Sequence, residues 1–222
     1  MCGAFGFDIV KHMQKTLLLL KNPRIILASL AVIGIGVALI GFSSWREQQE
    51  IAWLNSLASR HPEGEQYVQE LLQAKEELKD SDKKNDFSAY LRTGIYLNLL
   101  GEKKEALEWY EKALAQDPTN ILALNNSANI YNDLGQYDAS EDTWLKLIAA
   151  YPNRPAPYRS LGYLYWYRLY KSPGDIEDFF KRGLAATNND PDLLTWLISY
   201  FQETGNNEKF AEYANLLNAQ GK

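Results

Sequence analysis

FSAYLRTGIYLNLLGEKKEALEWYEKALAQDPTN, residues 87–120, holds two apolar runs of helical spacing, with Gly101 between them and Pro118 at the close. They read as two helices folded back on each other, since glycine caps a helix and proline cannot continue one. Tyr90, Gly94 and Leu97 lie on the first helix, and Ala106, Tyr110 and Ala113 on the second. Small residues let the helices approach closely, and the aromatic ring fills the gap beside them. One such hairpin cannot bury its apolar face alone, so the pattern must recur. Residues 121–154 keep the plan in register: Ala128 stands for Gly94, Tyr131 for Leu97, Gly135 for Gly101, Trp144 for Tyr110 and Pro152 for Pro118. A third copy, 155–190, has Tyr158, Leu161, Gly162 and Tyr165 in its first helix. Its turn at 170–174 runs about two residues longer than the pattern, and Asn188 takes the proline position. A fourth, 191–222, carries Leu194, Leu197, Phe201, Gly205, Phe210 and Ala214.

This plan resembles the tetratricopeptide repeat (TPR), a helix–turn–helix unit of about 34 residues that stacks into a solenoid. The first copy departs from that pattern at Thr93, where leucine is usual, and at Leu97, where tyrosine is usual. The resemblance implies an all-α fold of about four repeats. It also implies a concave surface lined by set positions of each first helix. In the first repeat these are Ser88, Leu91, Arg92, Ile95, Asn98 and Leu99, and in the second Leu122, Asn125, Asn126, Asn129, Asn132 and Asp133. In the third they are Ala156, Arg159, Ser160, Tyr163, Trp166 and Tyr167, and in the fourth Asp192, Thr195, Trp196, Ser199, Gln202 and Glu203. The residues named for peptide binding are Asn125, Asn129, Asn132, Arg159, Tyr163, Trp166 and Trp196. Asparagine side chains both donate and accept, so a ladder of them can pair with an extended backbone. Tyr163, Trp166 and Tyr167 offer flat anchors of the kind enriched at binding hot spots. The competing reading is that the aromatics pack between repeats and the asparagines are merely solvated. Some TPR proteins grip a terminal carboxylate with a basic clamp. Those positions here hold Leu91, Ile95, Asn126, Ala156 and Ser160, so that role is not carried over.

Ahead of the repeats the chain changes character. Residues 25–42, IILASLAVIGIGVALIGF, contain no charge, and Ser29 is their one distinctly polar side chain. Eighteen such residues meet the minimum for a membrane-spanning helix. A cleaved signal is the rival, but its apolar core is shorter, and Gly41, Phe42, Ser43, Ser44 and Trp45 make a poor cleavage site. A buried core helix is the less favoured reading still, because no polar face interrupts the run. The run reads as an uncleaved signal-anchor. Lys11, Lys15, Lys21 and Arg24 precede it, while Arg46 and Arg60 follow, so the N-terminus is expected in the cytoplasm and the repeats outside it. Trp45 suits the far interface, and Pro23 suits the first helical turn. Ala31, Gly34, Ala38 and Gly41 fall on one helix face, the arrangement by which another membrane helix, or a second copy, approaches closely. Glycine and alanine are also simply common in such spans. Residues 1–24 form a basic leader of net charge +3, read either as a surface helix presenting Ile9, Val10, Met13, Leu17 and Leu18 or as a disordered segment. Residues 43–86 read as a stalk and a capping hairpin or degenerate repeat, broken at His61 and Pro62 and followed by a polar loop at 80–86.

Chemistry beyond binding finds little material. Cys2 is the single cysteine, and because it precedes the apolar run it is not a lipoprotein cysteine; the exported part then has no disulfide. His12 and His61 are the only histidines. No zinc pair, nucleophile–base set or glycine-rich phosphate loop can be assembled. Glu102, Glu105, Glu108 and Glu111 alternate with Lys103, Lys104 and Lys112 as a solvated face. Asn125 begins an Asn-x-Ser match that falls within a repeat helix and is read as chance. The net charge of −5 gives no sign of a nucleic-acid partner. The sequence therefore reads as a non-enzymatic, cofactor-free and metal-free adaptor in a bacterial cytoplasmic membrane, with repeats that bind other proteins. Two roles fit: a chaperone beside the translocon, or a scaffold subunit of an envelope assembly machine. An organellar import receptor with cytosol-facing repeats is the alternative.

Overall fold

The computed structural model describes residues 23–80 and 86–220, with side chains described at 35, 38, 39, 41–79 and 87–220. The expected leader and most of the polar loop at 80–86 lie outside the described residues, and Ala31 and Gly34 of the small-residue face lie outside the described side chains. Among the described residues all regular structure is helical. The chain divides into two compact units, 1–62 and 63–222.

The described part of the first unit holds one helix, α1 (Pro23–Ala58), 36 residues long. At about 1.5 Å per residue it measures roughly 54 Å. Its first half carries the apolar run, and the helix continues without a break into the polar stretch after residue 42. Among the described residues no helix is long and apolar enough to cross a membrane. Most side chains of the run at 25–42 lie outside that set. Near its end the rings of Phe42 and Trp45 stack at 6.0 Å, and the Arg46 guanidinium lies 5.7 Å from the Phe42 ring.

The second unit begins with α2 (Gly64–Asp80), which packs on α3 through a buried stripe of Val68, Leu71 and Ala74. Four hairpins follow: α3 (Asp86–Leu99) with α4 (Lys103–Gln116), α5 (Ile121–Asp133) with α6 (Tyr137–Ala150), α7 (Pro155–Tyr167) with α8 (Pro173–Ala186), and α9 (Pro191–Glu203) with α10 (Asn207–Gln220). Each helix from α2 onward packs on the next, and α7 also packs on α9. The starts are encoded locally. Proline opens α7, α8 and α9, and Asn120, Ser172 and Asp190 accept from the first free backbone amides of α5, α8 and α9. The turns are equally explicit. Gly101, Gly135 and Gly205 take φ of +88°, +73° and +75°, and the next amide bonds back to Leu97, Tyr131 or Phe201 at 2.8–2.9 Å. That is the capping bond which a left-handed glycine permits.

Inside the hairpins, small residues face rings. A β-carbon on Gly94 would sit 2.8 Å from the Tyr110 ring, and one on Gly183 would sit 2.8 Å from Tyr158. Ala106, Tyr110 and Ala113 are buried together. In the second hairpin Ser140 takes the Ala106 place, and its hydroxyl donates to the Ala128 carbonyl at 2.8 Å. Thr93 and Ser127 occupy the same position of successive repeats and are buried with no hydrogen-bond partner for their hydroxyls. Leu161 and Leu197 fill that position in the third and fourth repeats. The third turn differs from the rest: it carries no glycine in the left-handed region, and Tyr170 adopts φ +50° there, with its side chain 82% exposed.

Candidate functional site

The first helices of the repeats carry the positions named for the concave surface, and the structure divides those residues into two sets. One set joins neighbouring repeats. Asn126 donates from Nδ2 to the Tyr110 hydroxyl at 2.9 Å, and Asp133 accepts from Lys103 at 2.6 Å. Burial, partly offset by the Asn126 bond, pushes the Tyr110 hydroxyl up to about 12. Asn126 and Asp133 thus bond the second repeat to the first. Trp196, named for the groove, is only 5% exposed. It lies stacked between Phe180, at 4.1 Å, and Tyr200, at 5.4 Å. For this residue the packing reading holds, since an indole edge between repeats removes more apolar surface from water than one in an open groove.

The other set lines two adjoining cavities. The first, about 470 Å³, lies between α5 and α7 and is walled by Asn129, Asn132, Ser160, Tyr163, Tyr167 and Arg168, with Trp144 and Leu164. The second, about 290 Å³, lies between α7 and α9 and takes in Arg159, Trp166, Asp192, Thr195, Ser199 and Glu203, with Trp196 as a wall. Tyr163 and Tyr167 line both. They sit one turn apart on α7, so their rings lie nearly parallel, 6.2 Å apart at 13°. They remain 51% and 46% exposed. Trp166 stacks on Tyr167 at 4.4 Å and meets Tyr200 edge-on at 4.9 Å, half-buried. Large rings held in place yet open to water are the usual material of a binding surface.

Polar groups frame the rings. Asn129 donates to the carbonyl of Asn125, on its own helix, at 3.0 Å. Asn125 lies outside both cavities, so the asparagine ladder shortens to Asn129 and Asn132. Arg159 donates to Asp192 at 3.2 Å, bridging the third and fourth repeats. Burial, then the charge of Glu203 and the neighbouring Tyr163, raise the Tyr167 hydroxyl above the ordinary tyrosine range. Tyr167 was a concave position of the resemblance, but its place at the junction of both cavities shows only in the packing. In α1, Ala38 and Gly41 are exposed, and a β-carbon on Gly41 would meet nothing within 4 Å. Among the described residues no group of three or more histidine, cysteine or carboxylate side chains is placed to hold a metal ion.

Known proteins agree with the fold. The sequence model of the tetratricopeptide repeat family matches residues 109–142. The chain is 30% identical over 88 residues to the photosystem I assembly protein Ycf3 of Prochlorococcus marinus (strain MIT 9301), covering 38% of this chain and 51% of that protein. It is 30% identical over 128 residues to tetratricopeptide repeat protein 37 of Xenopus laevis, covering 58% of this chain and 8% of that one. The chain thus spans about half the length of the Ycf3 relatives. Among solved structures, a tetratricopeptide repeat protein of Parabacteroides merdae ATCC 43184 superposes with a TM-score of 0.58 at 19% identity, covering 78% of this chain and 67% of that one. MamA, from residue 41 onward, of Desulfovibrio magneticus RS-1 gives 0.54 at 17% identity, covering 75% and 92%.

Proposed function

We propose that this chain, whose helical hairpins are tetratricopeptide repeats, is a membrane-anchored scaffold. Its groove holds a segment of another protein during assembly of an envelope complex. The observation that carries this reading is the pair of half-exposed, parallel rings of Tyr163 and Tyr167 where two cavities meet. Backbone groups of an extended segment would find donors and acceptors in Asn129, Asn132 and Ser160 beside them. The assembly role is supported by the similarity to Ycf3, described as a photosystem I assembly protein.

The anchor rests on the uncharged run at 25–42 and on the stacked Phe42 and Trp45 with Arg46 where the run ends. Aromatic and basic side chains gather where a span leaves the hydrocarbon. Four basic residues before the run against two soon after it set the N-terminus in the cytoplasm and the repeats outside. The test uses the full chain, extracted in mild detergent with bound proteins. Tyr163→Ala with Tyr167→Ala removes both open rings and leaves the buried core in place. Proteins held by the wild type should fall at least tenfold in yield with the double variant, at unchanged helicity. Equal recovery would move the binding surface off the groove.

A further inference from the structure

We infer that the end of the groove between α7 and α9 takes a lysine or arginine side chain from the partner segment, held between aromatic faces and the carboxylate of Glu203. This rests on the reading that a partner segment lies in the groove. The cavity gathers Tyr163, Trp166 and Tyr167 with Glu203, and Trp196 closes its wall. Trp196 meets Tyr163 at 72° and Trp166 at 76°, with centroids 5.6 and 5.9 Å apart, so the rings enclose the space from more than one side. Ring faces are electron-rich and attract cations, most strongly once water is displaced.

The polar lining has the matching sense. The Thr195 hydroxyl donates to the Pro191 carbonyl at 2.8 Å, and the Ser199 hydroxyl donates to the Thr195 carbonyl at 3.0 Å. Each proton is committed to its own helix, so both oxygens offer lone pairs to an incoming donor. Arg159 is the one cation of the lining, and it is paired with Asp192. It precedes Tyr167 by eight residues on α7, about 12 Å along the helix. Glu203 stands at the Tyr167 end and makes no salt bridge among the described residues. The cavity is thus divided: a closed ion pair at one end, an unpaired carboxylate among rings at the other. An apolar side chain would offer Glu203 no partner, and an acidic one would face it. Residues 63–222 carry 17 lysines and arginines against 25 aspartates and glutamates, a field that draws a basic segment toward the domain.

The probe is a fluorescein-labelled octapeptide, Gly-Ser-Xaa-Gly-Ser-Xaa-Gly-Ser, with Xaa as lysine, norleucine or glutamate. Anisotropy is read on the full chain in detergent at fixed ionic strength. The lysine peptide should bind at least tenfold more tightly than the other two. Glu203→Gln and Tyr167→Leu should each weaken it at least fivefold, while Glu105→Gln, the same charge change on the exposed face of α4, should leave it within twofold. Equal binding of the norleucine peptide makes the cavity a plain apolar site and overturns the inference. Equal weakening by Glu105→Gln reduces the attraction to the domain's overall charge and overturns it too. No lysine preference, with capture of natural partners still lost in the double tyrosine variant, overturns the cation site and leaves the groove standing. Failure of both removes both.

Discussion

The first two repeats and the last two share one topology but use their side chains differently. The first pair keeps the 34-residue rhythm and ends its first helices on Gly101 and Gly135. Its special polar residues join neighbours: Asn126 reaches Tyr110, and Lys103 reaches Asp133. The later pair breaks the rhythm with a longer turn held by Tyr170 at positive φ, and it replaces small contacts with rings. Phe180, Trp196 and Tyr200 stack through its interior, Phe201 meets Tyr200 edge-on, and Trp166, edge-on to Tyr200, carries the ring cluster to Tyr167 and Tyr163 at the surface. A repeat that follows its pattern closely has its side chains committed to stacking on the next copy. The departures are what leave rings and a carboxylate uncommitted, and both cavities named above involve the third repeat.

The contrast breaks most visibly at glycine. A β-carbon on Gly162 would lie 2.4 Å from Phe180 Cζ and 3.1 Å from Trp196, and Phe180 is already pressed against Trp196. Gly162→Ala should cost about 1–3 kcal/mol by overpacking. Gly94→Ala meets the Tyr110 ring first, at 2.8 Å rather than 2.4 Å, and should cost less. Thermal unfolding of the full chain by circular dichroism checks this, and equal losses would mean that the aromatic interior yields as easily as the regular one.

Acid should act on the later half first. Burial works to raise the Glu177 carboxyl, but bonds from Lys209, Lys181 and Tyr213 outweigh it and hold the group below its ordinary value of 4.5. The Tyr213 and Lys209 bonds tie α8 to α10 at 2.9 Å, and Lys181 pairs with Glu177 within α8 at 3.0 Å. A lowered folded pKa means the contribution is complete above pH 4.5 and is lost as pH falls through the folded value. Glu177→Gln should therefore lose about 1–2 kcal/mol at pH 7 and nothing in strong acid. A pH-independent difference would show that the carboxylate charge is irrelevant there.

The smallest effects sharpen the comparison from the regular side. Ser127→Ala removes a buried hydroxyl with no partner and should be neutral or stabilising by up to about 1 kcal/mol. Ser140→Ala, in the same repeat, removes the bond to Ala128 and should destabilise by about 1 kcal/mol. Denaturant midpoints of the two variants should move apart; a shared direction would contradict the hydroxyl assignment.

Much of this architecture was legible in the sequence because helix ends are local. Gly101, Gly135 and Gly205 announce their turns, and Pro155 and Pro191 announce the helices that follow. The site was legible only in part. Of the residues named from position in the repeat, Asn129, Asn132, Arg159, Tyr163 and Trp166 lie at cavity walls. It gave no hint that Asn126 and Asp133 are committed elsewhere, since their partners lie 16 and 30 residues away. Nor did it separate Trp196 from its neighbours, because burial of one ring depends on Phe180 and Tyr200 pressing from either side.

Site-specific photo-crosslinking tests the central claim most directly. Benzoyl-phenylalanine replaces Tyr163 on the open face of the irregular half or, separately, Leu145, which is 41% exposed on α6. With the full chain in its native cells, residue 163 should yield a discrete adduct with a partner protein, and residue 145 should yield none. Adducts from 145 without any from 163 would contradict the account and place the binding surface on the regular repeats.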